Sequence, residues 1–236
     1  MINFSLHPLG DSALLIRFGN VIDPKINSYV HAATTYLQSA HLPGVYDFVA
    51  GYTSLTLHYD SLAWLEKEQL PIEALTACIV PLLTNFSVAP ITTTGRLIEI
   101  PVCYGGEYGP DLEYVAHHIG LLPEEVIARH SGSEYRVNFL GFSPCFPYLS
   151  GLDPLLATPR RDTPRTAVAS GSVGIGGTQT GIYPTQTPGG WQIIGRTPLR
   201  LFNPEATTPC YLACFDRLHF KPISEVDFTH FIKTKQ

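Results

Sequence analysis

Between Lys67 and Lys221 this chain has no lysine, so every fixed positive charge in that span is an arginine. Arginine presents a rigid planar fork suited to carboxylate or phosphate, where lysine presents a point charge. Charge of either sign is scarce, at 15% Asp, Glu, Lys and Arg against 44% hydrophobic residues. The formal net charge of −5 gives no reason to expect nucleic acid or an anionic membrane as partner. The low charge points instead to a large apolar interior, or to surface covered by association. No apolar run approaches the roughly 20 residues needed to span a bilayer. Asp11 and Arg17 interrupt the first apolar run and no basic segment precedes it, so no secretory leader is expected. The five cysteines form no Cys-x-x-Cys pair, which fits a reducing cytosol better than a disulfide framework. Cytoplasmic is the expected location. There is no His-Glu-x-x-His pattern, and the adjacent His117 and His118 point about 100° apart on a helix; no metal site made by this chain alone is expected.

What the chain has in plenty is glycine and proline within one stretch. Ten of its 20 glycines and seven of its 20 prolines fall in the 56 residues from Gly141 to Arg196. Disordered segments are polar and poor in aromatics, whereas here Phe142, Phe146, Tyr148, Tyr183 and Trp191 alternate with Val and Ile. The mixture predicts short strands joined by tight turns that present polar groups.

Residues 1–90 read as a small α/β domain. Ala13 to Phe18 is a short strand, and Asp23-Pro24 opens a helix with an N-cap and a proline at its first position. Ile26, Tyr29, Val30, Ala33 and Leu37 follow at helical spacing. Leu55, Leu57 and Tyr59 alternate with polar residues as in a half-buried strand, and a further helix starts near Pro71. The order strand–helix–strand–strand–helix is compatible with a ferredoxin-like layer. Ser87 to Gly95, rich in Ser, Thr and Pro, is the expected connector. In residues 91–236, Arg96 to Val102 reads as a strand. Asp111 can cap a helix that ends at Gly120, and Pro123 starts another that finishes before Gly132. Short strands follow from Tyr135.

Four motifs stand in order: Gly-Phe-Ser-Pro-Cys-Phe-Pro-Tyr-Leu (141–149), Pro-Arg-Arg-Asp-Thr-Pro-Arg (159–165), Gly-Ser-Val-Gly-Ile-Gly-Gly-Thr-Gln-Thr-Gly-Ile-Tyr-Pro (171–184) and Pro-Gly-Gly-Trp-Gln-Ile-Ile-Gly-Arg-Thr-Pro (188–198). Together they resemble the 5-oxoprolinase B-subunit family, also labelled allophanate hydrolase subunit 1 or the kinase inhibitor KipI. The likeness extends over nearly the whole chain, from Gly-Asp-Ser-Ala-Leu-Leu-Ile (10–16) to Phe-Lys-Pro-Ile (220–223). It implies an α+β protein, with a ferredoxin-like domain followed by a cyclophilin-like β-barrel. It also implies a hydrolase role, as one subunit of an ATP-dependent enzyme that opens 5-oxo-L-proline to L-glutamate with subunits A and C. ATP, with magnesium, would be shared with those partners, and no cofactor is expected on this chain alone. Two other functions share the motifs: inhibition of a sensor histidine kinase, and an allophanate- or urea-processing carboxyltransferase.

The run Gly171 to Gly181 lacks the Gly-Lys-Ser/Thr ending of a phosphate loop and the complete Gly-x-Gly-x-x-Gly order. It reads better as backbone shaped around a small polar ligand, with Ser172, Gln179, Thr180 and Tyr183 as donors and acceptors and Trp191 as an aromatic wall. The competing reading is barrel turns with satisfied side chains. Phe142 and Pro144 join the substrate-binding set through the first motif. His130 feeds into that motif and is a candidate proton shuttle, against a helix-end histidine bonded to the last carbonyls. Arg165 and Arg196 are candidates for ligand contact, and Arg161 for a brace between loops. His130, Arg165 and Tyr183 form the expected catalytic set. With Gln179 and Arg196 they are expected to converge on one cleft. Cys145 stands where the family usually has glycine, and reads as a tolerated small replacement whose backbone must avoid positive φ or bear strain. Phe215 likewise replaces a family glycine, in Phe-Asp-Arg-Leu-His-Phe.

Overall fold

In a computed structural model the chain divides into two compact units, Met1–Thr93 and Thr94–Gln236. The described residues are 3–65, 68–86 and 95–234. The expected connector, 87–95, lies outside them except for Gly95.

The first unit contains β1 (Ser5–Pro8), β2 (Ala13–Arg17), α1 (Pro24–Ser39), β3 (Val45–Ala50), β4 (Ser54–Tyr59) and α2 (Pro71–Thr84). The four strands form an antiparallel sheet in the order β1-β2-β4-β3. In β4 the alternation puts Leu55, Leu57 and Tyr59 inside and the intervening residues half out. The Asp23 carboxylate accepts the Lys25 N–H at 2.7 Å, so α1 begins where its cap and proline place it. Tyr29, Val30, Ala33 and Leu37 of α1 and Leu75, Ile79 and Leu83 of α2 bury against Leu14, Ile16, Leu55 and Leu57. The sequence alone does not reveal β1, because its four residues are largely exposed and carry no apolar alternation; pairing with β2 defines it.

The second unit begins with β5 (Leu97–Tyr104), α3 (Leu112–Ile119) and α4 (Pro123–Gly132). Then come β6 (Glu134–Leu140), β7 (Pro147–Ser150), β8 (Arg165–Val168), β9 (Ser172–Gly176) and β10 (Gln179–Ile182). Last are β11 (Thr187–Gly189), β12 (Gln192–Arg196), β13 (Arg217–Pro222) and α5 (Glu225–Thr234). Seven strands close a barrel in the order β10-β7-β6-β13-β5-β12-β9, and β9 pairs back onto β10. Neighbours are antiparallel except β13 and β5, which run parallel from Arg217↔Leu97 to Pro222↔Val102. β8 and β11 form a separate two-stranded ribbon.

Ile100, Val102, Tyr135, Val137, Val173, Ile175, Ile194, Leu218 and Phe220 fill the barrel, and Val115 and Val126 bring α3 and α4 onto the same core. Gly120, at φ 70°, ends α3, with the Leu121 N–H returning to the Ala116 carbonyl at 3.0 Å. At the start of α4, Glu125 accepts the Leu122 N–H at 2.8 Å. No helix among the described residues is long and apolar enough to cross a membrane.

Candidate functional site

Phe146 organises an aromatic surface of the second unit. Its ring meets Phe142, Tyr183 and Trp191 edge-on at centroid distances of 5.5, 5.4 and 5.6 Å, a geometry that rings favour beyond simple area burial. These four, with Tyr148, wall a cavity of about 310 Å³ whose rim carries Arg160, Arg161 and Gly189-Gly190. Glycine is dictated here by close approach: a Cβ on Gly176 would sit 2.6 Å from the Trp191 ring. Tyr183 is 2% exposed, and burial is the main influence that raises its phenol pKa. The Tyr183 hydroxyl, which accepts the Trp191 backbone N–H, therefore stays protonated and can donate its own hydrogen. Arg160 lies 6.0 Å from the Trp191 ring and has no carboxylate partner among the described residues.

Behind the rim, Asp111 stands at the N-cap of α3 but its side chain makes no capping bond; the carboxylate turns instead to the arginines and β12. One oxygen accepts Arg165 Nη2 at 2.8 Å and Arg161 Nη1 at 3.2 Å. The other accepts the Ile193 N–H at 2.6 Å. At 4% exposure this carboxylate needs such partners, since a buried unpaired charge is costly. The fork therefore fixes two guanidiniums and ties β12, which carries Ile193, to the arginine motif. Arg161 braces its loop through Asp111, as expected, and its side chain also lines the cavity.

The predicted site residues divide in space. Phe142, Tyr183 and Trp191 line the cavity. Arg165 stands one ion pair behind it. Pro144 is exposed in the turn, and Gln179 is half-buried where β10 leaves the β9 hairpin. Ser172 contributes backbone, its carbonyl accepting the Tyr183 N–H at 2.8 Å. Arg196 donates Nε to the Ser170 carbonyl at 2.8 Å, which makes it a brace between loops.

His130 is placed in the barrel interior and does not reach the cavity. It is fully buried and stacked on Phe220 at 4.6 Å. Thr180 donates its hydroxyl to the Gly174 carbonyl at 3.0 Å, so it can only accept from His130 Nε2, also at 3.0 Å. Nδ1 is then left to accept the Tyr104 hydroxyl at 2.8 Å. Every polar atom in this chain of bonds is matched with the imidazole neutral, and burial pushes its pKa down to about 3. The expectation of a proton shuttle does not survive this placement. Nor is His130 bonded to the last helix carbonyls; its own carbonyl accepts the Tyr135 hydroxyl at 2.8 Å.

The Carboxyltransferase domain, subdomain C and D family matches residues 4–212. The chain is 43% identical over 231 residues to the 5-oxoprolinase B subunit of Bacillus subtilis (strain 168), covering 96% of each chain. The chain belongs to the 5-oxoprolinase B-subunit family. It is also 56% identical over 130 residues to the 5-oxoprolinase B subunit of Escherichia coli O157:H7, covering 55% of this chain and 60% of that one. The crystal structure of the K. lactis urea amidolyase superposes with a TM-score of 0.82 at 20% identity, over 98% of this chain and 15% of that one. That likeness establishes the fold. Among the described residues no group of three or more His, Cys, Asp or Glu is placed to hold a metal ion.

The two departures from the family's glycine pattern both occupy left-handed backbone. Cys145 has φ 64° and Phe215 has φ 72°, conformations that cost a side-chain-bearing residue about 1–2 kcal/mol each. Each has an offsetting contact. Cys145 is disulfide-bonded to Cys210 across 65 residues, which corrects two expectations: the cysteines are not all free thiols, and Cys145 is more than a small replacement. Phe215 lies under the Arg136 guanidinium at 4.8 Å.

Proposed function

We propose that this chain is the B subunit of an ATP-dependent 5-oxoprolinase that hydrolyses 5-oxo-L-proline to L-glutamate with subunits C and A. The observation that carries the reading is the aromatic cavity with an unpaired arginine at its rim, in a chain of this family. A five-membered lactam carrying one carboxylate has an apolar ring, an amide and an anion. The ring fits against Phe146, Tyr148 and Trp191, and Arg160 and Arg161 take the carboxylate by charge-assisted hydrogen bonds. Tyr183, kept protonated by burial, donates to the lactam oxygen and draws electron density from the carbonyl carbon. Asp111 and Arg165 position these groups.

An amide is a poor electrophile, and ATP would supply the phosphoryl group that activates it. The glycine-rich run does not fit a triphosphate: residues 173–176 and 179–182 are committed to the β9–β10 ladder, and Gly176 packs under Trp191. We therefore assign ATP and magnesium to the partner subunits, with this chain forming one wall of a shared site. In finer fold terms we read the first unit as a ferredoxin-like layer whose edge strand comes from β1, and the barrel as cyclophilin-like.

The test is reconstitution. Purified alone, the chain should show no 5-oxoproline-dependent ATP hydrolysis, and activity should appear on adding subunits A and C. In that complex Arg160→Gln should raise KM for 5-oxoproline by roughly tenfold or more, the loss of one charge-assisted hydrogen bond, with no change in melting temperature. Robust turnover by the chain alone would refute the shared site, and an unchanged KM would refute the role of Arg160.

A further inference from the structure

A second cavity, of about 520 Å³, adjoins the aromatic one, and Arg160 and Arg161 line both. Where the first is walled by rings, the second offers charge of both signs: the two arginines face a lining that includes Asp162, Thr163 and Gln192. Gln192 is 2% exposed; its Nε2 donates to the Pro159 carbonyl at 2.9 Å, while Oε1 is buried without a donor. Arg161 Nε is likewise buried without an acceptor. Asp111, also in the lining, has its carboxylate taken up by Arg161, Arg165 and the Ile193 N–H. The walls therefore call for a ligand that brings acceptors to the guanidiniums, with positive charge near Asp162. A simple anion meets half of that requirement, and an α-amino acid zwitterion meets all of it.

We propose that the second cavity binds an α-amino acid and receives the ring-opened product from the aromatic cavity. Arg160 and Arg161 hold the same carboxylate in both places. The inference rests on the 5-oxoprolinase reading. In the overall hydrolysis, the oxygen of water bonds to the lactam carbonyl carbon as the C–N bond breaks, and nitrogen keeps the electron pair. The nitrogen takes one proton from water and one from the new carboxylic acid. An uncharged amide thus becomes a carboxylate and an ammonium. Aromatic walls disfavour new charges that find no partner, while Asp162 in the adjoining cavity receives the ammonium. The product need only pivot about its fixed carboxylate.

Calorimetric titration of the full chain with 5-oxo-L-proline, L-glutamate and N-acetyl-L-glutamate tests this. The acetylated ligand keeps both carboxylates and lacks the ammonium, so it should bind about tenfold more weakly than glutamate. Asp162→Asn, an exposed position, should weaken glutamate by about tenfold and 5-oxoproline by less than twofold, whereas Arg160→Gln should weaken both. Absence of glutamate binding, equal affinity for the acetylated ligand, or indifference to Asp162→Asn would each overturn the proposal. Turnover by the assembled complex separates this from the underlying reading. A complex that hydrolyses 5-oxoproline without a glutamate site on this chain refutes the second cavity alone. Glutamate binding as described, in a complex that never turns over 5-oxoproline, refutes its assignment as product.

Discussion

Mild acid should loosen the barrel through His130, by an amount that follows from its surroundings. In the folded chain the imidazole is neutral, bonded to Tyr104 and Thr180, with a pKa pushed down to about 3 by burial. In the unfolded chain it titrates near 6.5. Between those values unfolding takes up a proton at this residue, so stability falls as pH falls, at up to about 1.4 kcal/mol per pH unit. The contribution is fully present above pH 6.5 and gone below about pH 3. Between pH 7 and pH 5 the loss from His130 alone is about 2 kcal/mol. The assay is urea denaturation of the second unit's transition at pH 7, 6 and 5, for the natural chain and for His130→Gln. Glutamine offers an NH2 and a carbonyl, so it can serve both neighbours while leaving one buried N–H unmatched, and it should cost about 1–2 kcal/mol at pH 7. Its stability should then fall less steeply with acid, the difference between the two curves reporting His130. Parallel curves, or an imidazole seen by NMR to titrate near 6.5 in the folded chain, would refute the assignment.

Two further outcomes follow from the site's supports. Thiol titration of the denatured, unreduced chain should find three free cysteines, Cys78, Cys103 and Cys214, and opening the Cys145–Cys210 bond should cost about 4 kcal/mol by chain entropy for a 65-residue loop; five titratable thiols before reduction would contradict the pairing. Asp111→Asn removes the charge shared by two arginines and should destabilise the second unit by about 3 kcal/mol, the low end for a broken buried pair because Arg161 is 37% exposed. A change below about 0.5 kcal/mol, the scale of surface substitutions, would mean that Asp111 does not hold the fork.

The sequence was most informative where local chemistry decides the outcome. Asp23-Pro24, Pro71, Gly120 and Pro123 mark helix ends through their own side chains or backbone freedom, and the helices begin or end beside them. The aromatic wall was also legible, because Phe142, Tyr183 and Trp191 lie within dense motifs. Legibility failed where a residue's partner is distant in the chain. Asp111 reads as a helix cap from its neighbours, yet its ligands lie 50, 54 and 82 residues away. His130 sits beside the first motif in sequence, but its ring is claimed by Tyr104 and by Thr180, 50 residues on. The disulfide joins positions whose spacing follows no pattern. The replacement of family glycines at 145 and 215 did carry a legible signal, and both positions adopt the left-handed backbone that glycine favours.

The parallel pairing of β13 with β5 sets when this protein can fold. Residues 97–102 find their neighbours at 217–222, and Arg96 is clamped by Asp216 at the same end. A ribosome releases the chain from its amino end, so β5 emerges long before the strand that completes one of its flanks. Until then a row of backbone donors and acceptors on β5 stays open, as on any sheet edge. Loops of this length close slowly, and the cost is met before the contact rewards it. The barrel should therefore close only once residues 217–222 have emerged. Removing the last twenty residues would take away all of β13 and α5, leaving the aromatic cavity's walls intact in sequence but with no closed cylinder to hold them.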